Sequence, residues 1–192
     1  MLRLTAYPVG LWRTSLAATL VCCSIVQNPA QSIQLADGTT YFANVPRLEN
    51  ARTTFNSARV FGATYYFTLH IPEDAGEPLQ RVMFRQQEGV DWVQFNLKRT
   101  KAYADKERKQ PIEIAEVIAG EGGAISLYFD PPISPGETVV VGLRPYRNPS
   151  SSGVYLFGVT AFPRGERAHG QFLGYGRLHF YDHIWHPLRW GH

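Results

Sequence analysis

The densest group of side chains with chemical capacity closes the chain: His179-Phe180-Tyr181-Asp182-His183-Ile184-Trp185-His186-Pro187-Leu188-Arg189-Trp190-Gly191-His192. Imidazole nitrogens with one carboxylate make a donor set suited to a borderline cation such as Zn²⁺ or Cu²⁺. His179, His183 and His186 follow a His-x3-His-x2-His pattern, and one helical turn would bring Asp182, His183 and His186 onto a common face. Pro187 limits such a turn to the stretch directly after the preceding strand. The competing reading is a tail whose aromatic residues cover one end of the fold and whose histidines are incidental. Trp92, Trp185 and Trp190, with the tyrosines, could form a platform for sugar rings or a protein partner, and Trp185 and Trp190, which fall outside every strand that the pattern supports, are marked as the exposed pair.

Other chemistry is thinner. Lys98-Arg99-Thr100-Lys101-Ala102-Tyr103-Ala104-Asp105-Lys106-Glu107-Arg108-Lys109 is a basic stretch that could touch an anionic envelope polymer. Its simpler reading is a solvated loop that keeps an edge strand from pairing. Glu73, Asp74 and Glu77 surround Gly76 between two prolines and read as a turn, since calcium needs six or more oxygens. Ser150 to Gly153 lacks the Gly-x-Ser-x-Gly elbow. Gly120-Glu121-Gly122-Gly123 runs into a strand and offers no helix N-terminus to a phosphate. A pair of glycosidase carboxylates would meet only in the fold. The expectation is a non-catalytic protein without a cofactor, with metal carriage by His179, Asp182, His183 and His186 as one alternative and an envelope polymer hydrolase as another.

The elements that must carry these residues are strands. Tyr65, Phe67, Leu69 and Ile71 alternate at period two before Pro72. Val82 to Arg85 and Asp91 to Leu97 flank Glu88-Gly89, the pattern of a hairpin. Further apolar runs span Ile125 to Phe129, Thr138 to Arg144, Val154 to Phe162 and Phe172 to Tyr181, bounded by Asp130-Pro131-Pro132, Pro135-Gly136 and the loop from Asn148 to Gly153. β-branched and aromatic residues dominate them, as on a pleated half-buried surface. This is an all-β pattern: an antiparallel, immunoglobulin-like β-sandwich of about eight strands with little helix. The best helical candidate is Lys101 to Arg108, and Ile112 to Ile118 is ambiguous between strand and helix. Gly142, Gly158, Gly174 and Gly176 inside strands suggest bulges, close backbone approach or room for neighbouring aromatics.

At the other end, Arg3 and Arg13 precede an apolar run from Ser15 to Val26 and the small-residue site Ala30-Gln31-Ser32, the order of a secretory leader. The run is shorter than the ~20 residues that span a bilayer. Cleavage after Ser32 removes Cys22 and Cys23, the only two cysteines. Residues 33–192 are then one cysteine-free domain without disulfide or thiol chemistry, with no later membrane-spanning segment, ending in the His-rich tail from about 182. Loss of Arg3 and Arg13 leaves 17 Lys and Arg against 16 Asp and Glu, a poor balance for a nucleic acid partner. The partner expected is a protein or polymer of the envelope or the extracellular space.

Long stretches resemble a known family: Phe129 to Pro145, Asn148 to Ala161, Pro72 to Leu79 and Gln171 to Tyr181 are similar to an uncharacterised exported family of cyanobacteria, a domain of unknown function. The resemblance spans roughly Leu35 to Tyr181. It implies export to the periplasm, the medium or the thylakoid lumen and supplies no activity, cofactor or site residue. A second likeness, carried by the Pro-Gly turn, the Ser/Gly loop and Gly153-Val154-Tyr155-Leu156-Phe157, is to small copper-carrying β-sandwiches of the bacterial periplasm. Those use an N-terminal histidine, where this chain would present Ile33. Sequencing the exported protein is expected to read Ile33 as its first residue. A mature N-terminus upstream of Cys22 would overturn the cleavage assignment.

Overall fold

A computed structural model describes residues 33–34, 37–104 and 107–182 of the chain. Residues 1–32, where a leader is expected, lie outside the described residues. Among the described residues, thirteen strands run in chain order: β1 (Ile33–Gln34), β2 (Thr39–Tyr41), β3 (Arg47–Thr53), β4 (Tyr65–His70), β5 (Leu79–Glu88), β6 (Lys101–Tyr103), β7 (Pro111–Ile112), β8 (Ile114–Ala119), β9 (Ile125–Ile133), β10 (Thr138–Leu143), β11 (Gly153–Pro163), β12 (Arg167–Ala168) and β13 (Gln171–Phe180). Two short 3-10 turns, Leu97–Arg99 and Glu121–Gly123, are the helical segments among the described residues.

Two five-stranded sheets carry the fold, in the orders β3-β4-β10-β6-β7 and β13-β11-β5-β9-β8, with β1-β2-β12 as a small third sheet. All pairing within the two large sheets is antiparallel. The architecture is the expected all-β, immunoglobulin-like sandwich. Most of the extra strands (β1, β2, β6, β7 and β12) are pieces of two or three residues that periodicity cannot register, while the seven-residue β3 is polar and largely exposed and so shows no apolar alternation.

Alternation builds the core. Tyr65, Phe67 and Leu69 of β4 and Val139 and Val141 of β10 point inward and are fully buried. Opposite them lie Phe84 of β5, Leu127 and Phe129 of β9, Tyr155, Phe157 and Val159 of β11, and Phe180 of β13. The rings meet edge-on or tilted: Phe67–Phe84 at 4.8 Å, Tyr155–Phe180 at 5.4 Å, Tyr65–Phe180 at 5.5 Å and Tyr65–Phe157 at 5.9 Å between centroids. Such pairs add about 0.5–1.5 kcal/mol each beyond area burial.

Three local expectations are corrected. Asp91 to Leu97 does not return as a hairpin strand, because both edges of β5 are already taken by β11 and β9. The helix expected from Lys101 gives way to strand at its start: Lys101, Ala102 and Tyr103 pair with Gly142, Val141 and Val140 of β10, and the sheet buries Ala102, while residues 105 and 106 lie outside the described residues. Tertiary pairing outweighs weak helix propensity here. β9 does not stop at Asp130 but runs on to Ile133, through the cis Asp130–Pro131 bond. The pairing skips from Tyr128↔Arg81 to Ile133↔Leu79, so the two prolines, which lack an N–H, fall where the ladder is interrupted. Ile112 to Ile118 resolves as strand, with β7 in one large sheet and β8 in the other.

The strand glycines serve packing. Gly174, at φ +116°, sits at the bulge where β13 slips one residue against β11 between Val159 and Thr160. A Cβ on Gly176 would stand 2.5 Å from the Phe67 ring and 2.9 Å from the Ala51 methyl, where β13 closes against β3. Phe67 is fully buried and has no room to retreat. Gly176→Val is therefore expected to lower stability by about 2–3 kcal/mol, read by denaturant unfolding. A change within about 0.5 kcal/mol would show that this edge is loosely packed.

Candidate functional site

One end of the sandwich is tied into a rigid knot. Asn148 is 1% exposed. Its amide nitrogen donates to the Phe55 carbonyl at 2.9 Å and the Ser57 carbonyl at 2.8 Å, and its oxygen accepts from the Tyr65 hydroxyl at 3.0 Å. Its backbone N–H donates to Val60 and that of Arg59 donates to Pro149. The β3–β4 and β10–β11 loops thus behave as one body.

The segment after β5 joins this body. Gln86, also buried, donates from its side-chain nitrogen to the Asp91 carbonyl at 2.7 Å and accepts from the Val93 N–H at 2.9 Å. The Asp91 carboxylate accepts from the Ser151 N–H at 2.7 Å. Asn96 and Tyr146 donate backbone hydrogen bonds to Arg144 and Gln94, so Phe95 bridges Pro145 as a fragment of sheet, while Phe61 bridges Arg147.

These contacts lift three aromatic side chains into solvent: Phe61 at 71%, Trp92 at 70% and Tyr146 at 60% exposure. Trp92 and Tyr146 line one depression together with Asp91 and Arg147. Phe61 and Tyr146 line the next, with Arg99 and Arg144. Arg99 and Arg144 then reach a third, on the outer face of the β3-β4-β10-β6-β7 sheet, with Tyr66, Lys101 and Tyr103. Shared residues make the three into one continuous trough that opens to solvent. It offers stacking surfaces and cations. Its single carboxylate, Asp91, is held by Ser151.

A family model described as a protein of unknown function, DUF2808, matches residues 39–180. The chain belongs to the DUF2808 family. No curated protein matches its sequence. Among solved structures, the chain is similar to the bacterial hydrophobin BslA (11% identity, 70% of this chain and 100% of that one, TM-score 0.40). It is similar as well to the collagen-binding subdomain of the Enterococcus faecalis surface protein ACE (9% identity, 72% and 96%, TM-score 0.41) and to the collagen-binding domain of a Staphylococcus aureus adhesin (5% identity, 66% and 93%, TM-score 0.37).

Of the residues singled out at the C-terminus of this DUF2808 chain, His183, Trp185, His186 and Trp190 lie outside the described residues. His179 is exposed on β13, opposite Val154. Asp182 accepts from the Ser152 hydroxyl at 2.8 Å and lies 3.7 Å from the Arg59 guanidinium. Among the described residues, no three of His, Cys, Asp and Glu are grouped to hold a metal ion. In the acidic turn, Asp74 takes two hydrogen bonds from Asn44. Likewise among the described residues, no helix is long and apolar enough to cross a membrane. Sequence reasoning named Trp92 but missed Phe61 and Tyr146, whose exposure follows from bridges between distant loops. Pro145-Tyr146-Arg147 directly after a strand was the available signal.

The knot carries a pH signature. Burial pushes the Tyr65 phenol far above the ordinary tyrosine range, and burial raises Tyr155 too. In the unfolded chain each phenol ionises near pH 10, so above that pH the folded state holds more protons than the unfolded one. Stability is therefore untouched by these groups below about pH 10 and falls above it, by up to about 1.4 kcal/mol per pH unit for Tyr65. Tyr65→Phe is expected to flatten this decline in urea titrations between pH 8 and 11.5, and to cost about 1–2 kcal/mol at pH 8 by leaving Asn148 short of a donor. Equal slopes in the two proteins would contradict it.

Proposed function

We propose that this DUF2808 protein is an exported, non-catalytic binding module that grips a polymer of the cell envelope or extracellular space along the Trp92–Tyr146–Phe61 trough. The single observation that carries this reading is the display of three large rings, each more than half exposed, on loops whose bases are fixed by buried hydrogen bonds. Rings carried on loops whose backbone is already fixed spare a ligand the cost of ordering those loops. A stack of sugar rings offers them flat C–H faces.

The leader-like N-terminus and the family resemblance support a cyanobacterial protein acting beyond the plasma membrane, in the periplasm, the medium or the thylakoid lumen. Catalysis has little to work with in the trough, where the Asp91 carboxylate is tied to the Ser151 backbone and, among the described residues, no second carboxylate lines the depression beside it. In the alternative reading, metal carriage by His179, Asp182, His183 and His186, the Asp182 carboxylate would be shared with Ser152 and Arg59.

Retention of the exported protein on immobilised envelope polysaccharide and on immobilised envelope protein tests the reading. Trp92→Ala and Tyr146→Ala are each expected to weaken retention on polysaccharide by about tenfold or more, as stacking anchors do. Unchanged retention in both variants, or retention on protein alone, would refute it.

A further inference from the structure

The trough does not end at the aromatic rim. Across the outer face of the β3-β4-β10-β6-β7 sheet, Arg52, Tyr66, Gly142 and Lys101 are direct neighbours in register. Paired residues of antiparallel strands present their side chains to the same face, so this row belongs to the side away from the core. Just beyond the ends of β4, β10 and β6 come Thr64, Arg144 and Arg99, which line the same depression. Four cations therefore flank a floor made by Tyr66 and Gly142. Three inter-strand steps separate Lys101 from Arg52, about 14 Å.

The floor is built. A Cβ on Gly142 would come within 2.9 Å of the Tyr66 ring, so the missing side chain lets that ring lie down on the sheet. The Arg108 guanidinium sits 4.4 Å and the Arg52 guanidinium 5.7 Å from the ring centre. Among the described residues, none of Arg52, Arg99, Lys101 and Arg144 is ion-paired with a carboxylate, and no acid lines the depression. The whole chain carries a formal net charge of only +3, so this patch is a local concentration of charge. Uncompensated cations around a groove of about 360 Å³ raise the local concentration of an anionic ligand.

We propose that this groove selects an anionic polysaccharide, one whose sugar repeat carries carboxylate or sulfate groups. This rests on the polymer-binding reading above and adds the charge of the ligand to it. Neutral parts of the sugar chain stack on Phe61, Tyr146 and Trp92, and its oxyanions meet the forked donors of Arg99 and Arg144 and the ammonium of Lys101. A nucleic acid fits less well. Its charge density calls for a strongly basic surface, and the ring among the cations, Tyr66, is already covered by Arg108 and lies on the sheet, unavailable to a base.

The test measures binding of the full exported chain to polygalacturonate and dextran sulfate, with neutral dextran, poly-glutamate and single-stranded DNA as further arms. Proteins compared are the wild type, Lys101→Gln/Arg144→Gln, Arg99→Gln and Trp92→Ala, with thermal midpoints to confirm folding. Expected is binding to one or both acidic polysaccharides that weakens as NaCl rises. The double Gln variant should lose about tenfold or more, and Arg99→Gln a smaller part of it. The two acidic polymers separate carboxylate from sulfate preference. Binding to neutral dextran that falls in Trp92→Ala but not in the Gln variants would overturn the charge proposal and leave the polymer-binding reading standing. Binding to poly-glutamate or DNA as strong as to the polysaccharides would also overturn it. Absence of binding to any polysaccharide removes both.

Discussion

A phenol buried in an apolar core must find a hydrogen-bond partner, and in this protein that requirement organises one whole end of the molecule. Tyr65 belongs to the ring cluster that joins the two sheets. Its hydroxyl is met by Asn148, which is itself buried and must satisfy its own amide protons. It does so on the carbonyls of Phe55 and Ser57. Core packing and the loops that display Phe61 and Tyr146 are thus tied to one chain of satisfied polar groups, and buried Gln86 with Asp91 ties the segment that displays Trp92 to the same end. Breaking it anywhere leaves a buried donor or acceptor unpaired, which costs about 1–3 kcal/mol per group.

The same sheet works on both sides. Val139, Val141 and Leu143 of β10 fill the core, while Gly142 between them supports Tyr66 on the outer face. Period-two alternation makes this division obligatory, since a one-residue slip would exchange the two sets. Pairing of β4 and β6 with β10 in this register is what places Arg52, Tyr66 and Lys101 in one row. The inner face therefore specifies the outer one: the apolar residues choose the register, and the charged residues are carried along with it.

Much of this fold is written in local pattern. β4, β10, β11 and β13 each show alternation or an apolar run with turn residues at its ends, and the sandwich class follows from them. Asp91 to Leu97 and Lys101 to Tyr103 depart from their local pattern for one shared reason. Their conformation is settled by which strand edges are free, and edge availability is a property of the assembled sheet. Asp91 to Leu97 finds β5 already paired on both sides, and Lys101 to Tyr103 finds β10 open. The basic stretch beginning at Lys98 reads as a solvated loop in isolation, yet part of it is a strand that helps wall the trough.

Taken alone, the sequence determines the all-β class, the inward-facing residues of the long strands, the turns at Pro72 and Pro135-Gly136, and the scarcity of catalytic signatures. Each of these depends on contacts a few residues apart, or on composition. Tertiary structure alone decides that Phe61, Trp92 and Tyr146 share one rim, and that Arg52, Arg99, Lys101 and Arg144 share one groove. Those residues come from loops and strands as far apart in sequence as Arg52 and Arg144. Their meeting depends on the order of strands in the sheets and on hydrogen bonds that close between distant loops. Sheet order arises from competition among all strand pairings at once, so no local window of sequence contains it.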